Sequence, residues 1–137
     1  NVITEASGTG TGWLNRCPGA MSGCAADRAV VVSTTDASAL RDAQRTVSVL
    51  RNRIPRIHLV VNRVQPRLLR RLHTTIDDAM DAAGLPLLGI VPEDPQVMLC
   101  ANQGQPLILR ASRGAAVAYL NIAKRLLGQK APLMKMR

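Results

Sequence analysis

Apolar residues fall along this chain in two alternating kinds of block. Residues 28–35, "RAVVVSTT", form a continuous β-branched run, the pattern of a strand buried on both faces. Directly after it Leu40, Ala43, Val47 and Leu50 recur at spacings of 3, 4 and 3, one apolar stripe of a helix. Asp36 or Ser38 is placed to cap that helix, and Arg41, Asp42, Gln44 and Arg45 fall off the stripe.

The alternation repeats. Residues 56–63, "RIHLVVNR", predict a second buried strand after Pro55. In the stretch that follows, Arg67, Arg70 and Arg71 precede Asp77, Asp78 and Asp81, an order that opposes the dipole of one continuous helix. The helix is therefore predicted to start late, capped by Thr74 or Thr75 with aspartates in its first turns, and to end at Gly84. Residues 85–91, "LPLLGIV", predict a third strand closed by "PEDP", with a short helical turn over 96–101 opened by Pro95. A last helix is expected between a Ser112 cap and Gly128, with Ala116, Leu120, Ala123 and Leu127 on its inner face. Strands alternating with helices imply an α/β fold: a three-layer parallel sheet with right-handed crossovers. In such sheets ligands bind at the carboxyl ends of the strands, here the loops at 4–12, 33–36, 62–65 and 92–95.

Composition narrows this picture. At 137 residues the chain is one modest domain, or part of a larger one. With no Phe, one Trp and one Tyr, the core must be aliphatic, and stacking platforms for single-stranded nucleic acid are scarce. No apolar run is long enough to span a bilayer and no signal-peptide pattern opens the chain. Cys17, Cys24 and Cys100 lack zinc-site spacing and read as reduced thiols of a cytoplasmic protein. A net charge of +9, carried mainly by arginine, favours anionic partners, although arginine richness also follows from a GC-rich genome.

Two features carry candidate chemistry. "SGTGTGWL", residues 7–14, clusters Gly8, Gly10 and Gly12 as a phosphate cradle would. It is neither a dinucleotide fingerprint, since Trp13 replaces the third glycine, nor a P-loop, since the first lysine of the chain is Lys124. Asn62 directly follows "LVV", where a strand should stop. Its amide offers a donor and an acceptor, which suits a purine edge, and the "PEDP" turn could complete such a pocket. Equally, Asn62 reads as a turn residue and Pro92 and Asp94 as the start of a helix.

Several stretches together resemble the MinD/ParA family of deviant Walker ATPases. "DRAVVVSTTDASALRDAQRTVSVL" is similar to that family's strand ending in Thr-Thr before a Val-Arg-Asp-Ala helix, and "LVVNRVQP" to its Ile-Val-Asn-Arg segment. "LPLLGIVPEDPQVMLCANQGQPLI" resembles its Leu-Leu-Gly-Val-Val-Pro-Glu-Asp block, and "NIAKRLLG" its final helix. The resemblance covers residues 26–128 in unbroken order and implies the carboxy-terminal portion of a nucleotide-binding domain of P-loop-NTPase type. It implies ATP with Mg2+ as cofactors, and adenine contacts from Asn62, Arg63, Pro92, Glu93 and Asp94. Asp42 would be the catalytic-face residue at the dimer surface, coupling ATP to partner binding, with Arg41 and Arg45 beside it. The implied partners are a second copy of the chain, MinC-like and MinE-like or other division regulators, and a weak contact with anionic membrane, nucleic acid being disfavoured. The implied place is the cytoplasm and the inner face of the cell membrane.

The sequence departs from the family's pattern in three places. The two lysines of the family's phosphate loop have no counterpart before Lys124, which implies a chain truncated ahead of that loop and deficient in hydrolysis. In the poorly matching residues 1–25, Thr4 stands where the family has a magnesium-holding Asp, and no residue there is assigned to a metal; Gly8, Gly10 and Gly12 then take the place of its switch-like loop. The basic tail, residues 129–137, has membrane-helix chemistry but little more than a turn of length. The readings left open beside septum placement are a ParA-like partitioning protein that holds DNA non-specifically, and an inactive α/β fragment.

Overall fold

A computed structural model describes the backbone of residues 2–5, 27–73 and 75–134, and side chains from residue 27 onward. Four parallel strands, β1 (Val2–Glu5), β2 (Arg28–Ser33), β3 (Arg56–Val64) and β4 (Leu87–Pro92), form one sheet in the order β1-β2-β3-β4. Helix α1 (Ala37–Leu50) links β2 to β3; α2 (Pro66–Leu72) and α3 (Ile76–Ala83) link β3 to β4; α4 (Pro95–Asn102), α5 (Leu107–Arg110) and α6 (Ala115–Leu126) follow.

Strand alternation divides the core. Ala29, Val31, Ile57, Leu59 and Val61 point to one face, where they meet Leu40, Ala43, Val47 and Leu50 of α1 and Ala79 and Ala83 of α3. Val30, Val32, Val60, Leu88 and Val91 point to the other, under Ala115, Ala118, Ile122 and Leu126 of α6. The result is the three-layer arrangement expected, and the stripe read for α1 is the one buried.

Between β3 and β4 the sequence does more than was predicted. Arg70 and Arg71 close the short helix α2, begun by Pro66, while Asp77 and Asp78 open α3. Splitting one charge-mismatched helix into two lets each set of charges face the favourable end of its own dipole. Thr75 and Asp78 close a reciprocal capping box, with Thr75 N–H donating to Asp78 Oδ2 at 2.6 Å and Asp78 N–H donating to Thr75 Oγ1 at 3.2 Å. Gly84, at φ 63°, ends α3 in the left-handed region as expected.

The inner face of α6 differs from expectation. Ala116 is buried, but Leu120, Ala123 and Leu127 are exposed, Leu127 by 77%. Ala115, Ala118, Ile122 and Leu126 face the sheet instead. Close approach decides the phase: a Cβ on Gly89 of β4 would lie 2.2 Å from Ile122 Cγ1, so the missing side chain of Gly89 makes the room that Ile122 fills. Nor does Ser112 cap the helix; Gly114 occupies that position at φ 59°, ψ −131°, with no side-chain cap of its own. Beyond Gly128 the chain leaves the helix, and Leu133 and Met134 reach Leu88–Ile90 and α6, with Met134 packed into that core. As far as residue 134 the tail is therefore not a membrane helix but a packed non-helical segment. No helix of the described residues is long and apolar enough to cross a membrane.

Candidate functional site

The candidate site is built on an irregularity in the sheet. Val61 pairs with Ile90, and Val64 with Pro92, so β3 spends one residue more than β4 over this interval. The surplus lies in Asn62–Arg63, a β-bulge that bends the strand and re-aims its side chains at the carboxyl edge. Parity shows the effect: Val64, three residues on from Val61, packs in the same core cluster instead of the opposite one. Arg63 takes φ 54°, uncommon for a residue with a side chain. The Asn62 side chain supports it, Oδ1 accepting from Arg63 N–H at 2.9 Å. Among the described residues, nothing accepts a hydrogen bond from the donor half of the Asn62 amide.

The end of β4 comes to meet this bulge. Glu93 N–H donates to the Val64 carbonyl at 3.0 Å, and Arg63 Nη2 donates to Glu93 Oε1 at 3.1 Å. The second carboxylate oxygen of Glu93 accepts from Gln65 Nε2. Glu93 thus holds both residues that flank Val64, across 28 to 30 positions of sequence. Pro92, the last residue of β4, fixes the backbone immediately before it.

Asp94 is occupied differently. Its Oδ1 accepts from Gln96 N–H at 3.0 Å, capping α4, and its Oδ2 accepts from Ala115 N–H at 3.1 Å. One carboxylate therefore satisfies the first turns of two helices and ties them together. Gly114 is required for this approach, since a Cβ there would lie 2.4 Å from Asp94 Oδ2. Asp94 consequently shapes the site by tying α4 to α6.

Of the predicted site residues, Asn62, Arg63, Pro92 and Glu93 come together at one strand edge, while the Asp94 carboxylate is committed to α4 and α6. Asp42 does not join them by any hydrogen bond. It sits on α1, where its carboxylate pairs with Arg45 at 3.5 Å and its backbone carbonyl accepts from Thr46 Oγ1. Arg41 Nε returns to the Ala37 carbonyl. Gly8, Gly10 and Gly12 lie outside the described residues. Two contributors went unread in the sequence, Gln65 and Gly114. A glutamine before Pro66 and a glycine opening an alanine run were the only local signals, and their partners are distant in sequence.

Among the described residues, no group of three His, Cys, Asp or Glu side chains is placed to hold a metal ion. What the edge offers is a half-used amide, a guanidinium locked by a carboxylate, and a rigid proline. Such a set can hydrogen-bond and stack on a flat heteroaromatic ring.

No family model matches the chain, but individual proteins do. The septum site-determining protein MinD of Bacillus subtilis is 38% identical over 135 residues, covering 96% of this chain and 48% of that protein. The MinD of Synechocystis is 35% identical over 112 residues, covering 80% and 42%. In structure, the MinD cell division protein of Aquifex aeolicus superposes with a TM-score of 0.75 at 29% identity, over 80% of this chain and 48% of that one. A MinC:MinD complex from the same organism gives the same TM-score over 46% of the solved chain. The MinD of Pyrococcus horikoshii, solved with Mg-ADP, shares the fold at TM-score 0.65 and 24% identity, over 78% of this chain and 42% of that one. The chain spans about half the length of the relatives it matches.

Proposed function

Because this chain is a MinD-like member of the MinD/ParA family, with that family's P-loop-NTPase-type fold, we propose that it carries the adenine-recognising side of an ATP site in a protein of division-septum placement. One observation supports this above others: the Asn62–Arg63 bulge meets Glu93 at the carboxyl edge of a parallel sheet, where such folds take their ligands. Asn62 would donate from its amide hydrogens to the base. The Arg63 guanidinium, held in plane by Glu93, would lie against the ring, and Pro92 would close the other side. Asp94 would keep α4 and α6 in place.

The proposal for this chain stops at the base. Bound nucleotide brings its own charge and its magnesium ion, and among the described residues neither a lysine nor an acidic cluster attends them at this edge. Hydrolysis by this chain alone is accordingly proposed to be negligible. The exposed arm of α1 bearing Asp42, Arg41 and Arg45 is proposed as the surface for a second copy and for division regulators. MinC is the first candidate, because an Aquifex relative was solved as a MinC:MinD complex. Contacts with MinE-like regulators and with anionic membrane belong to the same reading.

Equilibrium titration with a fluorescent ATP analogue tests the site. The expected result is saturable binding that weakens about tenfold in Asn62→Ala, a loss of one charge-free hydrogen bond's worth of affinity. Binding unaffected by Asn62→Ala would refute the assignment, and magnesium-dependent turnover by this chain would refute the limit placed on hydrolysis.

A further inference from the structure

The opposite end of the sheet, where the strands begin, holds a second concentration of charge. Arg28 opens β2, Arg56 opens β3, His58 follows two residues later, and Arg125 lies in the last turn of α6. Beside them opens a cleft of 530 Å3 whose lining includes His58, Leu87, Leu88, Arg125, Lys130 and Pro132, with no aspartate or glutamate among its lining residues.

The arginines are fixed there by neutral groups. Arg28 Nη1 donates to the Leu126 carbonyl at 2.6 Å, closing the carboxyl end of α6. Arg125 donates to the carbonyls of Ala131 at 3.3 Å and Leu87 at 3.4 Å. Carbonyls orient a guanidinium without cancelling its charge, so the positive field of the cleft stays uncompensated. At its wall lies His58, whose Nδ1 is buried and has no hydrogen-bond partner among the described residues. Burial first, then the charges of Arg28, Arg56 and Arg125, hold the imidazole below its ordinary pKa. Oriented cations and an imidazole with no carboxylate beside them make a positive field that an anion in the cleft relieves by supplying opposite charge.

We propose that this cleft binds the phosphate or pyrophosphate group of a small solute, with Arg125 and Lys130 supplying charge at its wall and the His58 imidazole adding charge when protonated. The site lies at the amino ends of the strands and is separate from the nucleotide-base edge. No Phe, Tyr or Trp is among its lining residues, so it offers an anion charge and gives a base no large stacking platform. Binding is coupled to proton uptake by His58. The groups facing that imidazole are Arg28 from β2, Arg56 from its own strand, Arg125 from α6 and Lys130 after it, while β4 contributes only Leu87 and Leu88. Arginine and lysine keep their charge across neutral pH, so affinity for a non-titrating dianion falls as pH rises through the His58 pKa of the complex.

The test is a titration of the whole chain with inorganic pyrophosphate at constant ionic strength, reading the His58 ring signals by NMR. Sulfate, whose charge is constant, serves for the comparison between about pH 5.5 and about pH 7.5. The expected result is a saturable His58 shift, sulfate binding several-fold tighter at the lower pH, and pyrophosphate binding at least fivefold weaker in Lys130→Gln and weaker still in Lys130→Glu. Among the described residues Lys130 makes no hydrogen bond, so neither variant disturbs the fold. The proposal is overturned by an absent or non-saturating shift, by a shift that chloride reproduces at equal ionic strength, by sulfate affinity that does not change with pH, or by variants that bind pyrophosphate as the parent does.

Discussion

Arg63 shows how much of the candidate site rests on single residues. A side chain at φ 54° costs on the order of 1 kcal/mol, and the conformation persists because Asn62, Glu93 and the Val64 carbonyl fix both ends of the bulge. The Arg63–Glu93 pair is largely exposed, so its own contribution to stability is small. Glu93→Gln is therefore expected to change unfolding free energy by less than ~1 kcal/mol in a urea titration, while weakening nucleotide binding by freeing Arg63. Asp94 is the reverse case. Asp94→Ala removes one cap and one tertiary hydrogen bond, and should cost about 2 to 3 kcal/mol in the same measurement. Part of this was legible. "PEDP" reads correctly as a helix start, whereas β3 runs on past Asn62, where "LVV" suggests a stop, to pair Val64 with Pro92. The second bond of Asp94 was not legible, because Ala115 lies 21 residues away and nothing local marks it.

Elements follow local pattern wherever one face is decided by one neighbour. α1 obeys its stripe because it packs on the sheet along its length, and α3 obeys its capping box because both partners are three residues apart. α6 departs from pattern because its phase is set by Gly89 in another strand, a choice of small over large that hydrophobicity does not reveal. Gly89→Ala should accordingly destabilise the fold by about 1 to 3 kcal/mol through overpacking against Ile122, seen as a lowered urea midpoint at unchanged slope. The bulge in β3 was illegible for a related reason, since it depends on register against β4. The capping box adds a pH dependence. The Thr75 backbone N–H, then its hydroxyl, hold the Asp78 carboxyl below its usual range. A lowered carboxylate pKa stabilises the folded state above the unfolded value of about 3.9, and the contribution is lost as pH falls through the folded value. Asp78→Asn should thus destabilise the parent at neutral pH, with the difference closing in thermal melts as pH falls through the lowered folded-state pKa.

At the scale of the molecule, the two ends of one parallel sheet gather different chemistry. The carboxyl edge brings Asn62, Arg63 and Glu93 together; the amino edge brings Arg28, Arg56, His58 and Arg125 together beside a basic cleft. The family and the α/β class were legible from ordered motifs over residues 26–128, and the relatives at 35–38% identity bear that out. The tail was harder to read: its alternating apolar and basic residues suggest an interfacial helix, yet packing against β4 draws Met134 into the core. The central claim is that the carboxyl edge of β3 and β4 reads adenine, and amide NMR during a titration with adenosine tests it most directly, because the base is presented without phosphates. Saturable shifts confined to residues 62–65 and 93–97 are the predicted result. Adenosine that leaves those amides unmoved, or that moves a different set, would contradict it.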